Sequence, residues 1–361
     1  MGARIDSFLR LVVEQKASDL HFHAGSVPLV RHDGELIPLP FRSLSPDETR
    51  KFLFEIMSPA ERTTFEQTQE LDFAYPVDGL GRFRANVFMQ SRGMGAVFRI
   101  IPSKIPSIDE LGVPRVLKKL AALQNGLVLV SGPTGSGKTT TLAAIIHEIN
   151  RTAQRHIITI EDPIEYVHQP LRSVLTQRQV GLHTESFASA LRSALRESPD
   201  VVVIGELRDM ETVTLALSAA ETGVLVFGTL HTNSAAKSID RLIDVCPEEM
   251  HAQVRVTLST LLRGVVAQQL VKRSSGEGMV VAAEVLLPSV ALSHMIREGK
   301  GHQVDAYIQS SEGDGSSGSE MQSLDMTLCR LVRQGVVDVD DAISVAAAPD
   351  LVRRAAANLD E

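Results

Sequence analysis

Tryptophan is absent from these 361 residues, aromatic residues of all kinds make up 4 %, and the cysteines number two, Cys246 and Cys329. Two cysteines so far apart form neither a disulfide framework nor a CxxC zinc pair, which suits a reducing compartment. No apolar run approaches the roughly 18 uninterrupted residues that a membrane-spanning helix needs. The opening MGARIDSFLRLVVEQK reads as an amphipathic helix, because Arg10 and Glu14 interrupt its apolar stretch and leave no signal-peptide core. Asp6 stands where a myristoylation signal requires Ser or Thr. Basic residues are also in deficit, 36 Lys and Arg against 44 Asp and Glu, for a net charge of −8. That balance argues against nucleic acid as a partner, since such surfaces carry a basic footprint and, for single strands, stacking aromatics.

What remains is an ordinary globular composition, 43 % hydrophobic and 22 % charged, in a chain long enough for two cores. The first ~100 residues read as one α+β unit. A helix near 2–16 precedes a strand at Asp19–His23 and a hairpin around Asp33-Gly34. Ser45 and Pro46 are the cap and first turn of a helix, followed by strand-like runs at 71–77, 82–90 and 95–101. The two prolines of IPSKIP mark a linker, so the expected division is 1–100, a linker at 101–112, and 113–361. From about Leu127 the pattern changes to buried strands alternating with helices: LVLVSG, IITIED, VVVIGE and VLVFGTL. Runs of this kind fit a parallel sheet covered on both faces. A polar Gly/Ser stretch, SSEGDGSSGS, covers 310–319, a helix is expected at 324–334, and the C-terminal helices begin at about 289. No internal repeat is present.

From about Leu127, an apolar strand, GPTGSGKT and the helical TTLAAIIHEI follow one another, the order a phosphate-binding loop requires. Gly132, Pro133, Thr134, Gly135, Ser136 and Gly137 let the backbone curl so that its N–H groups converge on the phosphates. The following helix adds its N-terminal partial charge. Lys138 is expected at the β- and γ-phosphates, Thr139 at Mg²⁺, and Thr140 beside them, which makes ATP and Mg²⁺ the expected ligands.

Such a loop hydrolyses nothing without an acid on a neighbouring strand. VVVIGE delivers Glu206, and ITIED delivers Glu161 and Asp162, to the carboxyl edge of the sheet. Either glutamate can orient the attacking water while the other, with Asp162, helps hold the cation beside Thr139. His231, just past VLVFGTL, is placed to donate to a γ-phosphate or to serve a structural role. In GRFR, alternation puts Arg82 and Arg84 on one strand face and Phe83 on the other. These two, with Arg99, are either paired with acids or free to reach a phosphate across a subunit interface.

The segments ASDLHFH, GRFRANVF, GPTGSGKTTT, TIEDPIEY, ALRESPDVVVIGELRD, SAAETG and GTLHTNSAAKSIDRLIDV, in that order, resemble the type IV pilus and type II secretion ATPases. Within them the likeness is strongest to the PilT-type retraction motors. It extends over about residues 4–335. The resemblance implies an α/β architecture: an N-terminal α+β (PAS-like) domain, then a RecA-like P-loop ATPase domain with a C-terminal helical part. It makes Glu161, Asp162 and Glu165 an aspartate box, Glu206 the catalytic glutamate of an atypical Walker B strand, and His231 the histidine box. It also implies a homohexamer in which Arg82, Arg84 and Arg99 act as arginine fingers on the adjoining subunit's nucleotide. The partner implied is an inner-membrane platform protein, the only tie of a cytoplasmic motor to the inner membrane's cytoplasmic face. The output implied is pilus retraction by pilin disassembly. Assembly ATPases carry an extra N-terminal domain and a four-cysteine zinc site, neither seen here, which favours retraction. The retraction motif AIRNLIRE has its counterpart in ALSHMIRE at 291–298, with Ser293 and His294 replacing Arg and Asn. RQVGLHT likewise has Gln179 and His183 where acids are usual. These departures keep an accessory retraction-like motor, and an assembly or secretion ATPase, as alternatives.

Overall fold

The computed structural model describes residues 2–32, 35–101, 104–311 and 320–357. The Asp33-Gly34 turn, Pro102 and Ser103 of the proline-marked segment, and positions 312–319 of the Gly/Ser stretch lie outside the described residues. Two compact units divide the chain, one of Met1–Lys104 with Glu165–Val167, the other of Ile105–Ile164 and His168–Glu361.

The first unit is a six-stranded antiparallel sheet with helices. Its strands are β1 (Asp19–His23), β2 (Leu29–His32), β3 (Glu35–Pro38), β4 (Glu70–Val77), β5 (Gly81–Gln90) and β6 (Gly93–Ile101), in the order β3-β2-β1-β6-β5-β4. Alternation on β5 is plain: Phe83, Ala85 and Val87 are fully buried, and Arg82 and Arg84 stand on the other face. Leu9 and Val12 of the helix Asp6–Glu14 join that core together with Phe22 and Phe98. The helix Pro46–Glu55 starts at a capping box, in which Ser45 accepts from the Glu48 N–H and the Glu48 carboxylate accepts from the Ser45 N–H.

The second unit holds β7 (Gly126–Ser131), β8 (His156–Glu161), β9 (Val174–Gln179), β10 (Val201–Ile204), β11 (Leu225–Leu230), β12 (Leu262–Lys272) and β13 (Met279–Leu286), ordered β13-β12-β7-β11-β10-β8-β9. All neighbours are parallel except β13, which runs antiparallel to β12. Leu127, Leu129, Val202, Ile204, Val226 and Leu230 face one core. Their chain neighbours Val128, Val130, Val201, Val203, Leu225 and Phe227 face another. Burial on both faces explains why these strands read as unbroken apolar runs. At roughly 1.5–3 kcal/mol for each buried aliphatic side chain, these two cores contribute much of the unit's stability. Because β7, β8, β10 and β11 are parallel, the residues that follow them emerge at one edge.

A smaller core joins β12 and β13 to the helices Leu324–Arg333, Val339–Val345 and Pro349–Ala357. Buried Asp325 fixes the turn between the last two by accepting the N–H groups of Ala347 at 2.9 Å and Ala348 at 3.0 Å. Among the described residues, no helix is long and apolar enough to cross a membrane.

One buried titratable group gives this unit a pH dependence. Burial, reinforced by His147, pushes His168 down from 6.5 to about 4, and its Nδ1 is enclosed without a partner. The folded chain therefore holds neutral imidazole while the unfolded chain binds a proton below pH 6.5. The stability is present above that pH and is lost as pH falls towards 4, by about 3 kcal/mol across the window. Urea unfolding of His168→Gln should show that much less acid sensitivity than the parent chain. Equal pH profiles would contradict the assignment.

Candidate phosphate-binding site

Residues 132–137 form the turn between β7 and the helix Lys138–Thr152. Gly132 has no room for a side chain: a Cβ there would lie 2.3 Å from the Gln268 carbonyl oxygen and 2.4 Å from Ser136 Oγ. The Lys138 ammonium folds back over the turn, donating to the carbonyl oxygens of Gly132 at 2.8 Å and Pro133 at 3.0 Å. Burial holds its pKa below the ordinary lysine value, and Glu206 acts in the opposite sense. A lysine bonded only to loop carbonyls is ready to exchange them for phosphate oxygens. Thr139 and Thr140 follow on the first helical turn, half-exposed.

Glu206 lies two residues beyond β10. Its Oε2 is 2.7 Å from Arg208 Nη2 and 3.2 Å from His231 Nε2, and its side chain is only 18 % exposed. His231, next after β11, is thus brought beside this carboxylate. Backbone bonds hold the two loops together: Gly205 N–H donates to Ile160 at 2.8 Å and Leu207 N–H to Thr229 at 3.0 Å, while the Thr229 hydroxyl donates to the Gly205 carbonyl. A line of hydroxyls, Ser131–Ser238–Thr232, joins the end of β7 to the segment after His231, at 3.0 and 2.7 Å. Glu284 on β13 accepts the Ala235 N–H at 2.6 Å, fixing the start of the next helix, Ala235–Asp244.

Glu161 ends β8, and its Oε1 accepts from the Thr159 hydroxyl at 2.6 Å and from the Gln177 amide at 3.0 Å. Asp162 follows, exposed. Thr139, Glu161, Asp162 and Glu206 offer only oxygen atoms, the donor type that Mg²⁺ takes. Among the described residues, however, no three acidic, histidine or cysteine side chains are gathered closely enough to hold a metal ion by themselves.

The arginines of the first unit differ from one another. Arg84 makes a two-pronged pair with Asp72, Nε to Oδ2 at 3.0 Å and Nη2 to Oδ2 at 2.5 Å. Arg99 Nε donates to buried Asp19 at 2.7 Å. Arg82 Nε is enclosed without a hydrogen-bond partner. The unusual residues of RQVGLHT bond locally: Gln179 N–H donates to His183 Nδ1 at 3.0 Å, and Gln179 Oε1 accepts from Ile164 N–H at 3.3 Å. In the helix Val290–Arg297, Ser293 Oγ donates to the Ser259 carbonyl at 2.8 Å.

Three residues of the site were not singled out from the sequence: Gln268, Arg208 and Gln177. Gln268 does leave a trace, a polar residue in the apolar run VVAQQLV, and a buried polar residue generally has a partner to satisfy. Arg208 lies two positions past Glu206 in GELRD, too near a loop for spacing to assign it. Gln177 reads as one polar residue in a half-exposed strand.

The family model of the type II/IV secretion system proteins matches residues 3–291. The chain is 47 % identical to the type IV pilus retraction ATPase PilT of Pseudomonas aeruginosa, over 96 % of this chain and 99 % of that protein. It is 42 % identical to the type IV pilus ATPase PilU of the same species, over 94 % of this chain and 87 % of that one. The crystal structure of the pilus retraction motor PilT with bound ADP superposes with a TM-score of 0.89 at 44 % identity, covering 98 % of this chain and 100 % of that one.

Proposed function

The chain belongs to the type II/IV secretion system protein family, and from that premise we propose that it is an ATP-hydrolysing motor for type IV pilus retraction. The observation that carries this reading is Glu206. It is held by Arg208 and His231 at the same sheet edge as the phosphate loop, and it lies near enough to Lys138 to act on its charge.

In the proposed reaction the amides of Thr134, Gly135 and Gly137 to Thr139 and the Lys138 ammonium hold the triphosphate, Lys138 giving up the Gly132 and Pro133 carbonyls for phosphate oxygens. Glu206 orients a water and takes its proton as the water oxygen bonds to the γ-phosphorus. The bond from that phosphorus to the β–γ bridging oxygen breaks, leaving ADP and phosphate. His231 donates to the γ-phosphate from the end of β11, so that its contact with Glu206 reports whether the phosphate is present. Thr139 and the carboxylates Glu161, Asp162 and Glu206 are the groups that would hold Mg²⁺ together with the phosphates, and the cation would supply neutralisation of phosphate charge. The Thr159 and Gln177 bonds keep Glu161 aimed from β8 for that purpose.

The motor acts as a homohexamer on an inner-membrane platform protein at the cytoplasmic face, and the first unit's arginines complete the neighbouring subunit's site. Arg82 is the foremost finger, because Arg84 and Arg99 are already committed to Asp72 and Asp19. A second reading, an additional motor working beside a main retraction ATPase, is favoured by Ser293 and His294 in the retraction motif and by the likeness to PilU. Deleting the gene separates the readings: loss of twitching with excess pili marks the main motor, bald cells an assembly ATPase, and a partial defect the additional motor.

Glu206→Gln should keep ATP binding and lower turnover by about 10²–10⁴, measured as phosphate release beside a binding titration. Unchanged turnover would remove Glu206 from the role of base. Arg82→Ala in the assembled ring should lower turnover by roughly 10³ or more without loss of binding, and Arg84→Ala by much less. The reverse order would assign the finger to Arg84.

A further inference from the structure

Gln268 has a task in this site that neither the loop motif nor the family likeness assigns. It lies mid-way along β12, beside β7, and is 1 % exposed. Both ends of its side-chain amide are used. Nε2 donates to the Ser136 carbonyl at 2.7 Å, and Oε1 accepts from the hydroxyl of Thr141, itself buried, at 3.0 Å. The Ser136 carbonyl can only accept, so it requires the NH₂ end of the amide, and the Thr141 hydroxyl, able to donate, satisfies the oxygen left on the other side.

We propose that Gln268 is a positioning residue that locks the Ser136–Gly137 peptide so that the Gly137 N–H faces the phosphates. In a trans peptide the carbonyl and the N–H point in opposite directions. Holding the Ser136 oxygen on the β12 side therefore turns the Gly137 N–H towards the concave side of the loop. That lock is needed because Gly137, at φ +85°, is a residue for which both signs of φ are open. Released, the peptide can turn over and present an oxygen to the triphosphate in place of a donor, exchanging attraction for repulsion. Gln268 also closes the loop at its other end, since its own carbonyl oxygen occupies the space that a side chain at Gly132 would need. One strand residue thus shapes both ends of the turn.

This inference rests on the reading of 132–139 as a phosphate loop. Its test uses the full-length chain with Gln268→Leu, which keeps the bulk and removes the donor, and Gln268→Glu, which keeps the shape and the Thr141 bond. Steady-state turnover is measured across ATP concentrations, with ADP binding by titration and the melting temperature recorded for each protein. Both variants should raise the ATP KM and the ADP Kd by about 10–100-fold, the worth of one donor to a charged group. The value of kcat at saturating ATP should change far less, because the amide grips phosphate in ground and transition states alike. A merely structural glutamine would lower the melting temperature and the active fraction and leave KM unmoved, and that result overturns the proposal. If the parent chain binds neither ATP nor ADP, the phosphate-loop reading falls and this inference with it. If the parent binds and both variants bind as well as it does, this inference alone is overturned.

Discussion

The direction in which the peptide groups of residues 132–137 point is the constraint on which the rest of the site depends. Three of the loop's carbonyls are drawn into internal bonds, those of Gly132 and Pro133 by Lys138 and that of Ser136 by Gln268. Of the N–H groups, those of Gly132 and Ser136 are donated to the Leu230 and Pro133 carbonyls. The amides of Thr134, Gly135 and Gly137, with those of the first turn of the helix Lys138–Thr152, therefore define the concave side, where the helix adds its partial positive charge. Lys138 has the additional property of being held by weak neutral acceptors, so a phosphate displaces them at little cost.

Around that loop the parallel strands act as a ruler. Gly205, Leu207 and Thr229 tie the ends of β8, β10 and β11 to one another through short backbone and hydroxyl bonds. Glu206 and His231 therefore share a fixed frame, and Ser131, Ser238 and Thr232 connect that frame to the end of β7. An acid held by Arg208 and His231 before any nucleotide arrives has less orientation to lose on the way to the transition state. The proposed chemistry needs this, because phosphoryl transfer is mostly positioning and charge stabilisation.

Much of this was legible in the residues. GPTGSGKT needs a strand before it and a helix after it, and each apolar run that ends in an acid or a histidine names its own place at the sheet edge. Alternation in GRFR gave the faces of Arg82 and Phe83, and Ser45-Pro46 gave a helix start that the structure has as a full capping box. Less legible were the elements whose pattern is mixed. β9 is half-exposed, β12 and β13 combine buried and partly buried positions, and the last two helices are short. The brace at Gln268 was beyond sequence reasoning for a different reason. Its partners Ser136 and Thr141 are more than 120 residues away, and only the pairing of β12 with β7 brings them together.

The central claim is that Gly132 to Thr139 grips a triphosphate through its amides and Lys138, and that the remaining residues act on what it holds. Titrating ATP onto the parent chain and onto Lys138→Ala, by calorimetry under identical salt and magnesium, tests this most directly. The account predicts saturable binding by the parent chain and affinity weaker by about 100-fold or more in the variant, the loss of a charge-assisted contact to phosphate. Equal affinity in the two proteins would contradict it.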